Sequence, residues 1–387
     1  MSRIDDLMRE LCPEGVASHQ LVEIIKVHKG EQLKDEDFIE GPFPVVTASR
    51  KELRAHARSN FGPQVVTITS HGAYAGHVNY WETEIWLANN VILLEPNPSF
   101  LSSRFLYFAL SSRQAEIEGL AKGGGVPYFN SRDLSKVSVP VPPRPIQEEI
   151  VRILDTFTEL EAELEAELEG RKRQFNSYRD EQLFFGDDIP RVPLGDVSTV
   201  ARGASPRPIA RYMTTREQGL PWIKIGDVPK EEKFIERTAE FVTLEGAAKS
   251  RRIMPGDFVL SNSMSFGRPY ISKIEGYIHD GWLAISDFRE TFDPDFLYHL
   301  LRSGTAQAEF NRRAGTGTVR NLNAEIVKAV VVPVPEIEKQ RRIVELLDKF
   351  ESFTNSLTHG LPAEVAARRK QYKYYRDKLL TFEEKAA

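Results

Sequence analysis

A chain of 387 residues, 41% of them hydrophobic, is long enough for two or three domains with a core in each. Its 51 basic and 56 acidic side chains give a formal charge of −5, which argues against a uniformly basic nucleic-acid binder. Cys12 is the only cysteine, so an intrachain disulfide and a cysteine-built zinc site are excluded. The charged first ten residues lack the apolar core of a signal peptide, and no apolar run approaches the ~18 residues of a membrane span. A soluble, cytoplasmic protein is expected, with no membrane partner.

In chain order, residues 14–143 read as mixed structure. Apolar runs at 65–69 and 91–94, bounded by Gly, Pro and Asn, predict strands; 100–119 predicts a helix, and 137–141 a closing strand. Residues 146–185 then predict one helix of about 60 Å at 1.5 Å per residue. Ile150, Leu154, Phe157, Leu160 and Leu164 mark its apolar stripe, and the Leu-Glu-Ala-Glu repeat at 160–168 gives it a glutamate outer face. Residues 187–335 repeat the mixed pattern, with strands at 222–225 and 258–260, a helix at 295–314 and a closing strand at 330–334. A second long helix follows at 338–382, with Ile343, Leu347, Phe350, Phe353 and Leu357 on its stripe and a kink or break at Pro362. Two unpaired stripes predict an intramolecular antiparallel coiled coil, the alternative being that each helix packs on its own domain.

This order reflects a duplication. Pro140-Val141-Pro142, Gln147, Ile150-Val151, Leu154-Asp155 and Phe157 recur 193 residues later as Pro333-Val334-Pro335, Gln340, Ile343-Val344, Leu347-Asp348 and Phe350. Tyr178-Arg179-Asp180 recurs as Tyr375-Arg376-Asp377, at an offset of 197. Upstream echoes are weaker: Leu21 and Gly30 against Leu194 and Gly203, Phe105-Leu106-Tyr107 against Phe296-Leu297-Tyr298, and Asn130 against Asn323. The segments after the Pro-rich linkers match while the larger domains before them have diverged. That is the pattern expected when two similar scaffolds carry two different readers.

Catalytic signatures are missing. No Gly-Lys pair exists to form a nucleoside-triphosphate loop, and Gly123-Gly124-Gly125 follows a helical stretch instead of opening one. Asn97-Pro98-Ser99-Phe100 differs by one residue from the Asn-Pro-Pro-Phe/Tyr tetrad of adenine methyltransferases, but without a Gly-rich cofactor loop it reads as a turn. The eight histidines show no metal-binding spacing, and Ser261-Asn262-Ser263-Met264-Ser265 lacks the glycines of a nucleophile elbow. Catalytic residues, metal and cofactor are therefore all expected to be absent. What remains is basic, aromatic and amide side chains on loops. In the first domain the candidates for DNA contact are Lys29, Arg50, Lys51, Arg54, His71, Tyr74 and His77. In the second they are Arg202, Arg207, Lys224, Asn262, Arg268 and Arg320.

On the duplicated Pro-Val-Pro, Pro145-Ile146-Gln147-Glu148-Glu149-Ile150, Leu154-Asp155 and Tyr178-Arg179-Asp180 blocks, the chain resembles the specificity subunit of type I restriction-modification systems over nearly its full length. The resemblance implies an α+β fold with target recognition domains at 1–143 and 187–335 and conserved spacer helices at 144–186 and 336–387. It also implies a non-catalytic subunit in which each domain reads half of a split, asymmetric double-stranded DNA site. Two methyltransferase subunits would dock on the helices, and restriction subunits would join them. The competing classes are an independent DNA-binding regulator and a methyltransferase or nuclease in its own right. Residues 146–186 hold 5 basic and 11 acidic residues, so the acidic total belongs chiefly to this spacer and the domains are near neutral.

Overall fold

The computed structural model describes the chain except residues 1–2, 49–53, 229–231, 263–265, 316–320 and 386–387; it gives the helical backbone but not the side chains of 351–362. Two compact units form, one from residues 1–166 and 362–387, the other from 167–361.

In the first unit, Ile25–Lys29, Val91–Pro96, Val65–Thr69 and Val78–Trp81 line up in that order as an antiparallel sheet. Val91–Leu94 are all buried, as are Val66–Thr69, which is why these strands read as continuous apolar runs and not as alternation. Ala55–His56, Glu40–Val46 and Trp86–Leu87 make a smaller sheet, and Ser18–Gln20 pairs with Ser138–Pro140. The helix expected at 100–119 is two helices, Ser103–Ser112 and Gln114–Gly119. Phe105 and Phe108 join Val66, Ile68 and Leu94 in the core. Val16 N donates to Glu383 O at 2.9 Å, so the segment after the second long helix is tied back to this unit.

The second unit carries two five-stranded sheets. Thr199–Arg202, Trp282–Ser286, Phe258–Ser261, Pro269–Ser272 and Phe234–Ile235 form one. Met213–Thr214, Glu240–Val242, Leu220–Ile223, Gly276–Ile278 and Arg251–Ile253 form the other. The helix expected at 295–314 is again divided, into Pro294–Arg302 and Gly304–Ala314. Ser303 stays extended between them and its hydroxyl accepts from Ala306 N, an N-cap that starts the second helix. Arg191–Pro193 pairs with Val331–Pro333, the counterpart of the two-stranded sheet in the first unit.

The long helices are Arg144–Gln182 and Ile337–Leu379. Helical backbone continues through Gly360-Leu361-Pro362, so the break expected there does not occur. A proline in a helix interior forfeits one hydrogen bond, and the strong helix formers that follow it, Ala363-Glu364 and Ala366-Ala367-Arg368-Arg369, carry the helix on. The apolar stripes divide between the two packings that the sequence left open. Ile150 and Leu154 are buried in the core of the first unit, and Ile343 and Leu347 in that of the second. From Phe157 and Phe350 onward the helices meet each other. In the first unit Phe157 lies 5.5 Å from Tyr375 and 6.5 Å from Tyr372; in the second Phe350 lies 4.7 Å from Tyr178 and 5.9 Å from Phe175. Within the first unit numbering rises along one helix as it falls along the other, since Phe157 faces Tyr372 and Tyr375 while Glu161 and Glu165 hold Arg369, so the pair is antiparallel.

Two packing expectations need correction. Leu160 is 40% exposed and lies outside both cores, because six residues past Leu154 it points about 120° away from it at 3.6 residues per turn, and Leu164 is half-buried. Nor are the glutamates of the repeat all on an outer face. Arg369 Nε donates to Glu161 Oε1 at 2.6 Å, and its guanidinium also holds Glu165.

Candidate nucleic-acid interface

Both domains are mounted on their helices by the same device. Gln147 is buried; its amide donates to Phe100 O (2.6 Å) and Pro142 O (2.8 Å) and accepts from Ser102 N (3.1 Å), at the N-cap of Ser103–Ser112. Gln340 is equally buried, donates to Thr291 O and Pro335 O (both 2.8 Å) and accepts from Asp293 N (2.8 Å), at the N-cap of Pro294–Arg302. Each amide satisfies backbone groups that would otherwise be buried without partners.

The weak glycine echo also marks a matched position. A Cβ on Gly30 would overlap the carbonyl of Ala88, and one on Gly203 would overlap that of His279. Only glycine lets the two backbones cross so closely. Just past the crossing, Gln32 and Asn89 in the first domain correspond to Ser205 and Asp280 in the second.

In the second domain three candidates converge on Asp280. Arg202 Nε and Asn262 Nδ2 each donate to its carbonyl oxygen at 3.0 Å, and Arg207 Nη2 stands 3.6 Å from Oδ2. Ser205 Oγ donates to Oδ1 at 2.7 Å. This hydrogen bond, with the charge of Arg202, holds the Asp280 carboxyl below the usual carboxylate range. Burial lowers the pKa of His279, and its Nδ1 accepts from Gly281 N at 2.8 Å. Arg207 remains 84% exposed, whereas Asn262 is buried and braces the loop. Lys224 is ion-paired with Glu240. Arg268 is turned inward over Tyr270, its Nε and Nη2 buried without hydrogen-bond partners among the described residues. Asn262 and Arg268 thus do not present their side chains to a ligand as their composition suggested.

In the first domain, Arg54 donates to Asp35 Oδ1 at 2.6 Å and lies 3.6 Å over the Phe38 ring. It lines a cavity of about 340 Å³ together with Gln32, Asn89 and Asn90. Lys29 is exposed just before the Gly30 crossing. His71, Tyr74 and His77 form a separate group on the hairpin between Val65–Thr69 and Val78–Trp81. Gly72 (φ +93°) and Gly76 (φ +90°) take left-handed conformations there, and Gly72 N donates to Pro127 O at 2.9 Å. His77 faces Glu118 at 3.5 Å, and His71 is hydrogen-bonded to Ser70 at 3.0 Å. Arg50, Lys51 and Arg320 lie outside the described residues. Asn97 accepts from Ser99 N at 3.0 Å, closing the turn expected there. Composition alone passes over Gln32, Asn89, Ser205 and Asp280; their signal is position, two residues or fewer from a glycine-bound crossing.

The sequence model described as type I restriction modification DNA specificity domain matches residues 13–170 and 187–367. The specificity subunit of the type I restriction enzyme EcoR124I/EcoR124II from Escherichia coli is 32% identical over 293 residues, 72% of this chain and 70% of that protein. The fold is shared with the type I restriction-modification system S subunit from M. genitalium (TM-score 0.53, 18% identity, 94% and 96% of the two chains). It is also shared with a chain in a structure of complex assembly and conformational transition of the type I R-M system (TM-score 0.62, 15% identity, 96% and 98%). The chain belongs to the type I restriction-modification specificity subunits, with two copies of the DNA specificity domain. Among the described residues no helix is long and apolar enough to cross a membrane.

Proposed function

We propose that this specificity subunit has no catalytic activity of its own and reads a split, asymmetric double-stranded DNA site, one half through each domain. The recognition domains are residues 1–143 and 187–335. The spacer segments 144–186 and 336–387 dock two methyltransferase subunits, to which restriction subunits add. The observation that carries this reading is the contrast between mount and reader: Gln147 and Gln340 make the same three bonds, while Gln32 and Asn89 are replaced by Ser205 and Asp280 at the matched loops. Identical mounts holding different side chains suit one molecule reading two different sequences.

The candidate contacts divide by exposure. Lys29, Arg54, Arg202 and Arg207 are solvent-facing and suit phosphate or base contact, with His71, Tyr74 and His77 as a second patch. Near-neutral domains gain much of their non-specific phosphate affinity from the docked subunits, so the salt dependence of binding is expected to steepen in the complex. The test is a swap of residues 1–145 for those of another family member, followed by mapping of methylated adenines. One half of the methylated site is expected to change and the other to persist; a change in both halves would refute the modular reading.

A further inference from the structure

The two glycine crossings place one pair of positions at the same point in both domains, and the chemistry there differs in a way that base edges can distinguish. In the second domain the pair is Ser205 and Asp280, with Arg207 beside them. In the first it is Gln32 and Asn89, facing one cavity. We propose that these matched positions carry the base readout: Arg207, oriented by Asp280, reads a guanine in the half-site of the second domain, and Gln32 with Asn89 reads an adenine in the half-site of the first. This deepens the DNA-reading function proposed above and rests on it.

A guanidinium has five N–H groups in one plane. Asp280 Oδ2 approaches Arg207 at Nη2, 3.6 Å away, which leaves the remaining donors directed to solvent from a side chain that is 84% exposed. A planar donor pair of that kind matches O6 and N7 of guanine in the major groove. A bare carboxylate would repel the phosphates, but this one is engaged by Ser205 at 2.7 Å and faces Arg207, so it acts as a brace. Asp280 and Ser205 are positioning residues. In the first domain the matched positions hold no charge. Carboxamides carry one donor and one acceptor side by side, the pattern that pairs with N6 and N7 of adenine. Arg54 is paired with Asp35 and stacked on the Phe38 ring, so it forms a wall of the cavity, suits phosphate contact and leaves base readout to the carboxamides.

The test uses the complex of this chain with its methyltransferase subunits, after its site has been mapped from methylated adenines. Methylation rates are measured on duplexes in which each base pair of the site is varied in turn. Arg207→Ala is expected to lower discrimination at one guanine of the second half-site roughly ten- to hundredfold and to leave the first half-site unchanged. Arg207→Lys keeps the charge, so DNA affinity should persist while the guanine preference is lost. Asp280→Ala should weaken the same preference with an unaltered melting temperature, and Asp280→Glu should restore part of it. Gln32→Ala with Asn89→Ala should relax one adenine of the first half-site alone. Full discrimination by Arg207→Lys, or by the Gln32/Asn89 variant, would overturn the assignment. If swapping a whole domain leaves both half-sites unaltered, the DNA-reading function itself fails, an outcome distinct from unchanged behaviour of the point variants.

Discussion

Tyr178 stacks on Phe350 with ring centroids 4.7 Å apart and planes 20° from parallel. Phe157 and Tyr375 form the same contact, at 5.5 Å and 22°. The offsets of 193 and 197 residues that relate the repeats carry Phe157 onto Phe350 and Tyr178 onto Tyr375. The duplication is therefore expressed as two aromatic clasps, each joining the beginning of one long helix to the end of the other.

The clasps should contribute measurably to stability. Phe350→Ala removes a partly buried ring with two stacked partners, and a loss of about 2–3 kcal/mol is expected. Phe157→Ala should cost a similar amount. Urea unfolding checks both, and a wild-type midpoint for either variant would contradict the packing role.

Replacing the mounting amides should be costlier than their size suggests. Gln340→Leu nearly preserves volume but strands Asp293 N and two carbonyls, for an expected loss of about 2–4 kcal/mol. Gln147→Leu should behave alike, and because the two sites share no partner the double variant should be additive within about 0.5 kcal/mol. The same denaturation series measures this.

Tyr372 links stability to alkaline pH. Burial, with a smaller effect from Tyr107, pushes its phenol from 10.0 up to about 12. The neutral form is the one favoured in the fold, so its contribution is complete below pH ~10 and is lost as pH rises through ~12. Tyr372→Phe should flatten the fall in stability over that window. Absorbance titration should show one phenol ionising about two units late in the wild-type protein; its persistence in the variant would point to another tyrosine.

At the crossings, Gly30→Ala and Gly203→Ala should each cost about 1–3 kcal/mol, because the added methyl has no space and the backbones must part. Gly203→Ala should also impair the half-site reading proposed for the second domain, since Ser205 and Asp280 would separate. Methylation of varied duplexes separates this local effect from general unfolding.

The ion pairs of Arg369 with Glu161 and Glu165 are solvent-facing, Arg369 being 59% exposed. Arg369→Ala is expected to cost at most about 1 kcal/mol, and less at high salt. A larger, salt-independent loss would assign the glutamate repeat a buried role.

The strands at 65–69 and 258–260, both long helices and the duplicated blocks were legible in the sequence, because each is encoded by local periodicity or by repetition. Tertiary context set what local pattern could not. Ser303 divides a helix that composition reads as continuous, and helical backbone runs on through Pro362. The stripe from Ile150 to Phe157 changes partner partway along, from its own domain to the other helix, because the same apolar face is presented to two surfaces in succession. The candidate site was only half legible. Arg202, Arg207 and Asn262 were identifiable by type, yet the residue they converge on, Asp280, is acidic and lies about 75 positions from Ser205 and Arg207. Residue types in sequence limit what chemistry is available; which of them meet depends on where the backbones cross, and that is decided by packing at glycines 30 and 203.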